Sequence, residues 1–436
     1  MSGIFLLVTL FLCLLLGMPI AVSLGLSSLS TILLFSDQSL LSLSQRFFSA
    51  IQIYPLLSIP FFILAGTLMT TGGVARRMIA LANALVGHLR GGLAMAAVLA
   101  CAFFAAVSGS SPATVVAVGG IMIAGMEKSG YSKGFAAGLI CNAGTLGILI
   151  PPSIVLVVYG AVTETSVGAL FIAGIVPGIM LTLFYLVTIA VIAHRQKLPR
   201  QPRVSFGELV RTAREAFWGL LLIVIILGGI YAGIFTPTEA AAVAAVYAFA
   251  IALFVYRDIG FAEVPKVLTE SARVTGMLMF IIANAYLFGF VLTTEQIPQA
   301  ASAWVASLGL PAWGFLIIVN LLLLVAGNFM EPTSVVLILA PIIFPIAVSL
   351  GIDPVHLGII FVLNMEIGLI TPPVGLNLFV TAGIANMTLE NVVRAAMPWL
   401  LVLVVALIVV TYVPAISLAL PDFLGWGKGA TGAAIP

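Results

Sequence analysis

The sequence predicts an all-α polytopic membrane protein built from two inverted-topology repeats, each with a re-entrant helical hairpin and a broken transmembrane helix. Three observations predict it. Of 436 residues only 7% are charged and 62% are hydrophobic, with a mean hydropathy of +1.27, whereas a soluble chain carries roughly 25% charged residues. Landmark residues recur in the two halves at nearly constant offsets. The basic residues collect on one side of the membrane that the apolar runs imply.

A chain of this composition has lipid as its main solvent and partner, with its apolar runs buried as spanning helices. The net charge of +2 is small and scattered, so the charges read as topology markers and a nucleic-acid role is set aside. Cys13, Cys101 and Cys141 lie in apolar runs without metal-ligand spacing, and His88, His194 and His356 are isolated from one another. Disulfide frameworks, zinc sites and thiol catalysis are therefore not expected, and the chain does not read as an enzyme. The run from 3 to 35 has no Lys or Arg before it and stays apolar past a cleavage length, which predicts a retained membrane segment.

Apolar runs occur at 3–16, 19–35, 55–74, 92–107, 112–126, 134–161, 168–193, 216–234, 238–256, 274–292, 312–327, 333–350, 355–385 and 396–416. The pairs flanking Ser108–Pro112 and Gly327–Pro332 are shorter than the ~20 residues of a full crossing, and read as re-entrant hairpins.

The tip Ser110-Ser111-Pro112-Ala113-Thr114-Val115-Val116 aligns with Met330-Glu331-Pro332-Thr333-Ser334-Val335-Val336. Gly130 aligns with Gly351, Gly147 to Pro152 with Gly368 to Pro373, and Gly17-Met18-Pro19 with Phe235-Thr236-Pro237, at offsets of 218 to 221. Proline pairs recur in membrane helices as plain kinks, but several landmarks at nearly constant offsets point to duplication. Residues 1–198 form the first repeat, with scaffold helices at 3–74, an arm at 75–91, a hairpin at 92–127, a broken helix at 134–161 and a helix at 168–193. A basic linker covers 199–215. The second repeat covers 216–420, with scaffold helices at 216–292, an arm at 294–309, a hairpin at 312–350, a broken helix at 355–385 and a helix at 396–416. Residues 421–436 form a tail.

Charge decides between parallel and inverted repeats. If both hairpins return to their starting side and every other run crosses once, 15 of the 17 basic residues fall inside, leaving only Arg46 and Lys428 outside. This fits the positive-inside rule, puts both termini outside, and makes the linker a cytoplasmic, solvated loop. The hairpins then enter from opposite faces. Segments 38–54, 75–91, 258–273 and 294–309 carry most of the remaining polar residues beside the spans. They read as amphipathic interfacial helices, with plain loops the alternative; their equivalent places in both repeats favour arm helices linking a fixed part to a moving part.

Backbone breaks at membrane depth are tolerated only where protein or a polar cavity satisfies the freed N–H and C=O groups. At the first tip, Ser108-Gly109-Ser110-Ser111-Pro112 supplies hydroxyls, a permissive Gly, an N-cap in Ser111 and a Pro at the first helical position. Its partner Gly327-Asn328-Phe329-Met330-Glu331-Pro332-Thr333-Ser334 supplies an amide, a carboxylate and two hydroxyls. The other two breaks, Asn142 to Ser153 and Asn364 to Pro373, each contain a Pro-Pro pair that leaves preceding carbonyls without intrahelical partners. Loose carbonyls beside hydroxyls suit a hard alkali cation. Each repeat is therefore expected to build a sodium site: Ser108, Ser110, Gly147, Ile150 and Pro152 in the first, and Gly327, Asn328, Gly368, Thr371 and Pro373 in the second. Simple helix kinks are the alternative.

No Lys, Arg or His falls in any break, so an anionic ligand there must be held by hydroxyls, amides, bound cations and the positive helix ends near Pro112, Pro152, Pro332 and Pro373. A small organic acid fits. Ser111, Thr114, Asn142, Thr333 and Asn364 are the candidate contacts, and each is equally readable as a packing group between helices. Glu331 and Glu366 are the acids near the breaks. Either is a functional ionisable group, or, for Glu331, a charge favoured by a helix N-terminus.

At Phe104-Ala105-Ala106-Val107-Ser108-Gly109-Ser110-Ser111-Pro112-Ala113-Thr114, Gly147 to Pro152, Gly327 to Pro332 and Gly368 to Phe379, the chain resembles the large membrane subunit of the tripartite ATP-independent periplasmic (TRAP) transporters, C4-dicarboxylate branch. The likeness covers essentially the whole chain. It implies a bacterial inner-membrane secondary transporter of elevator type, with an architecture like that of the ion transporter superfamily, driven by a sodium gradient and with no covalent cofactor. It also implies a small four-helix membrane subunit and a periplasmic substrate-binding protein as partners. A stand-alone sodium/carboxylate symporter of the same architecture, or a permease for another acid such as sialic acid, is the alternative.

Overall fold

A computed structural model describes residues 2–35 and 40–426. Lys428, most of the expected tail and the start of segment 38–54 lie outside the described residues. Within them the chain is helical and contains no strand. Among the described residues nine helical stretches are long and apolar enough to cross a membrane, and five shorter apolar helices accompany them. The chain is thus an all-helical, multi-pass membrane protein.

The first hairpin consists of Gly92–Ser108 and Ser111–Lys128, the second of Ala312–Phe329 and Pro332–Ser349. Gly109 turns the first tip at φ +62°, a backbone region that glycine enters without steric cost. The N-cap of the following helix is Ser110, in extended conformation, with Ser111 as the first helical residue and Pro112 the second. This shifts the expected cap by one residue, because the Ser111 hydroxyl is engaged elsewhere, accepting from Asn377 Nδ2 at 2.7 Å. At the second tip Glu331 is the N-cap, accepting from the Ser334 amide at 2.9 Å.

Both Pro-Pro segments interrupt a helix. The first broken helix runs Lys133–Ala143, a single turn Leu146–Leu149, a non-helical stretch at 150–153, then Ile154–Thr163. Ser132 and Ser153 cap its outer pieces, accepting from the Phe135 and Leu156 amides. The second runs Pro354–Gly368, capped by Asp353, then a longer break to Leu376–Ala385. Both Pro-Pro bonds, Pro151-Pro152 and Pro372-Pro373, are cis.

These two broken helices form the centre of the molecule. Every residue from His356 to Gly368 is buried, as is every residue from Ala136 to Ala143. The outer helices present apolar faces outward at helical spacing, as with Ile179, Leu183, Val187 and Val191 on Val167–Gln196. That is the pattern of a helix packed inward on one side and solvated by lipid on the other.

Three of the four expected interfacial segments contain separate helices, Leu40–Ala50, Val74–Val86 and Ile297–Ser307. The fourth does not. Residues 264–273 continue into the span as one helix, Val264–Thr294. Pro265 sits in its first turn, where a missing N–H is harmless, and Gly276 just beyond the segment weakens a helix by only about 1 kcal/mol. The linker is also shorter than the expected 199–215, because Phe206–Tyr231 is a single helix capped by Ser205. Its non-helical part packs on the turn after Val74–Val86: the Gly91 amide donates to Pro199 O at 3.2 Å and the Gln201 amide to Gly87 O at 3.1 Å.

Candidate functional site

Each hairpin tip meets the break of the broken helix that follows it in sequence. At the first junction a cluster of oxygens forms. Ser108 Oγ and Thr114 Oγ1 share a hydrogen bond of 3.1 Å, and Thr114 Oγ1 donates to Ser110 O at 2.9 Å. Gly147 lies against that group so closely that an added Cβ would stand 2.6 Å from Ser110 O and 2.8 Å from Thr114 Oγ1. A Cβ on Gly109 would meet Pro152 O at 2.7 Å. Ser108, Ser110, Gly147 and Pro152 therefore converge, and Thr114, expected among the ligand contacts, stands within the same oxygen cluster. The Ile150 side chain packs instead toward Gly178, where an added Cβ would lie 2.6 Å from Ile150 Cγ1.

The second junction repeats this contact. A Cβ on Gly368 would meet Gly327 O at 2.6 Å and Gly327 Cα at 2.8 Å, so two backbones touch where neither residue has a side chain. The Val374 amide donates to Asn328 O at 3.1 Å, directly joining tip and break. Asn328 Oδ1 is buried and without a hydrogen-bond partner among the described residues. Thr371, beside the cis Pro372-Pro373 bond, donates from its hydroxyl to Ile367 O at 2.7 Å.

Between the junctions lies a cavity of about 420 Å³ that both tips line, through Ser108 to Ala113 on one side and Glu331 to Thr333 on the other. Residues from the first turns of all four helices that begin at a tip or break reach it: Pro112, Ile154, Pro332 and Leu376. Their N-terminal N–H groups carry partial positive charge. Among the described residues no Lys, Arg or His is in the lining, whereas Glu331 and Glu270 are. Ser111 and Thr333, two of the five expected ligand contacts, line this cavity.

Asn142 and Asn364 lie outside it. Asn142 Nδ2 donates to Gly138 O and Ala396 O, and Asn364 Nδ2 donates to Asn320 Oδ1 at 2.8 Å and to Ile360 O. Glu366 is fully buried, with neither carboxyl oxygen hydrogen-bonded among the described residues. Asn377, which the sequence reading did not single out, joins the two halves through Ser111 Oγ and also donates to Cys141 O at 3.2 Å. Thr381, one turn on, is equally buried. Their i, i+4 spacing after the second break was the available signal, since such a pair shares one helix face. The unpartnered buried atoms Asn142 Oδ1, Asn364 Oδ1, Glu366 Oε1 and Oε2, Asn377 Oδ1 and Thr381 Oγ1 all belong to the broken helices.

An apolar helical body, broken at its centre and facing paired hairpin tips across a mainly apolar cavity with hydroxyls of both tips in its wall, has the architecture of a multi-pass membrane transporter. The profile described as "Tripartite ATP-independent periplasmic transporter, DctM component" matches residues 7–416. The chain belongs to this family. It is 67% identical over 403 residues to the C4-dicarboxylate TRAP transporter large permease protein DctM of Pseudomonas aeruginosa, covering 92% of this chain and 94% of that one. It is 58% identical to the protein of the same name from Vibrio cholerae, over 94% of this chain and 95% of that one. Among solved structures, the YdaH transporter of Alcanivorax borkumensis superposes with a TM-score of 0.62 at 15% identity, covering 89% of this chain and 88% of that one. That likeness concerns the fold alone.

Proposed function

We propose that the chain is the large permease subunit of a sodium-coupled, binding-protein-dependent importer of C4-dicarboxylates in the bacterial inner membrane. The observation that carries this reading is the cavity reached by four helix N-termini and lined by no basic side chain. Such a site suits a small dianion held by N–H groups, hydroxyls and nearby bound cations. The DctM names of its relatives supply the C4-dicarboxylate class. The tripartite family description supports a small membrane subunit and a periplasmic binding protein as partners.

Sodium enters this scheme as co-transported cargo. The first ion is held at Ser108, Ser110, Gly147, Ile150 and Pro152, to which Thr114 Oγ1 adds a hydroxyl within the same cluster. The second is held at Gly327, Asn328, Gly368, Thr371 and Pro373, with Asn328 Oδ1 as a free acceptor. Hard oxygen donors without thiolate or imidazole match an alkali cation. The helix starting at Ser111 has no side-chain cap, whereas Glu331 already caps the one starting at Pro332. The substrate carboxylates accordingly favour the first tip, near Ser111, with Thr333 facing them from the second. Asn142 and Asn364 serve by holding the broken helices to their neighbours, and Glu366 stands as a buried acid at the second break.

The two repeats have inverted topology, with both termini periplasmic and the 199–215 region cytoplasmic. The hairpins and broken helices move together as an elevator. Each tip contacts its break over a backbone-to-backbone distance that leaves no space for a Cβ, so the pair travels more readily than it separates. Uptake of labelled succinate into proteoliposomes holding this chain with its small membrane subunit tests the proposal. Uptake should require both an inward sodium gradient and the cognate binding protein. Uptake that survives collapse of the sodium gradient overturns the coupling. Full uptake without any binding protein favours the stand-alone symporter.

A further inference from the structure

The linker region carries a feature separate from the cavity between the tips. Arg90, Arg200 and Arg203, with His88 and Leu89, line a depression of about 440 Å³. It is a built concavity, since hydrogen bonds from the Gly91 amide to Pro199 O and from the Gln201 amide to Gly87 O clamp the linker onto the 87–91 turn. Asn83 Nδ2 adds a side-chain bond to Gln201 Oε1 at 2.9 Å. The turn in turn rests on the end of the Val167–Gln196 helix, where a Cβ on Gly91 would meet the Ala193 Cβ at 2.8 Å.

None of the three arginines is ion-paired among the described residues, and no carboxylate lines the depression. The ion pairs found involve Arg76, Arg77, Arg211 and Arg394 instead. Three unpaired guanidinium groups held around one concavity repel one another until an anion enters, and their planar forks match the oxygens of a phosphate. The depression lies at the end of a membrane-spanning helix, and Leu89 at its edge is 42% exposed, an apolar contact that a free phosphate would not use.

We propose that this depression binds the phosphate headgroup of an anionic phospholipid in the leaflet bordering that face, tying the linker between the halves to the membrane surface. The inference rests on the chain's position in a bilayer and is independent of what it transports.

The test is native mass spectrometry of the purified, delipidated full chain titrated with phosphatidylglycerol, phosphatidylcholine or glycerol 1-phosphate. The wild-type chain should retain phosphatidylglycerol preferentially. R90Q/R200Q/R203Q should weaken that retention by about tenfold or more, because each basic side chain beside an anionic headgroup adds to the attraction. R211Q/R214Q/R394Q removes the same number of charges outside the depression and should stay within about twofold of wild type, because distant surface charges are screened. Equal loss in both triple variants overturns the site in favour of general charge attraction. Equal binding of phosphatidylcholine, or glycerol 1-phosphate binding as tightly as the lipid, overturns the anionic-lipid assignment. Should the first triple variant fail to fold, R200Q/R203Q alters only the non-helical linker and must still reduce retention for the proposal to stand.

Discussion

Asn377, in the first turn of the helix after the second break, donates from Nδ2 to Ser111 Oγ at 2.7 Å at the start of the first hairpin's second helix. Two residues separated by 266 positions thus join the two halves beside the cavity. Both are fully buried, so the bond is made without competition from solvent.

Asn377→Ala should lower the thermal midpoint of the purified protein, at a cost of about 1–3 kcal/mol for a buried hydrogen-bonding group left without its partner. Ser111→Ala should cost less, because the amide of Asn377 keeps Cys141 O as an acceptor. Combining the two substitutions should give less than the sum of their effects, as residues sharing a bond do. Strict additivity in a calorimetric double-mutant cycle would show that the bond contributes nothing of its own.

Gly368→Ala should sharply reduce transport, since its Cβ would fall 2.6 Å from Gly327 O, a backbone atom with little freedom to yield. Gly383→Ala, in the helix that follows, has nothing within 4 Å of the added methyl and should be tolerated. Succinate uptake normalised to membrane-inserted protein measures both. Normal sodium-dependent uptake by the Gly368 variant would mean that tip and break separate without consequence.

Ser108→Ala should raise the sodium concentration for half-maximal uptake by about tenfold, which corresponds to the 1.4 kcal/mol scale of one hydrogen-bond-strength ligand. Thr114→Ala should act in the same direction, because the two hydroxyls share one cluster. Folding should change little, and size-exclusion profiles of both variants check that. An unchanged sodium response in a well-expressed Ser108 variant would remove that hydroxyl from the ion site.

A disulfide between the first hairpin and the Ser58–Thr71 helix should arrest transport until it is reduced. The two approach closely at Gly66, where an added Cβ would lie 3.5 Å from Ser108 Cα. Cysteine pairs near that level, in a background lacking Cys13, Cys101 and Cys141, can be oxidised and uptake followed before and after reduction. Full transport by demonstrably cross-linked protein would replace the elevator motion by local gating.

Introduced cysteines on the Leu40–Ala50 helix should react with an impermeant thiol reagent in intact cells, and those at 199–204 only after the membrane is opened. Labelling of the linker in intact cells would reverse the proposed orientation.

Composition and spacing were sufficient for the membrane setting, the two interrupted hairpins and the two Pro-Pro breaks, because these depend on local chemistry. Apolar runs seek lipid wherever they sit, and a Pro-Pro pair interrupts a helix regardless of its neighbours. Which residues meet across the molecule depended on packing. Asn142 and Asn364 have the polarity of ligand contacts, yet each helix turns its amide toward a neighbouring helix and away from the cavity. Ser111 reads locally as an N-cap, but Asn377 claims its hydroxyl and Ser110 takes the cap position. Residues 264–273 have the polarity of an interfacial helix, yet nothing in their backbone chemistry stops the helix, so they extend the span. A side chain's partners are fixed by the rotation and depth of its helix within the assembled bundle, and these arise only when many distant contacts are satisfied together.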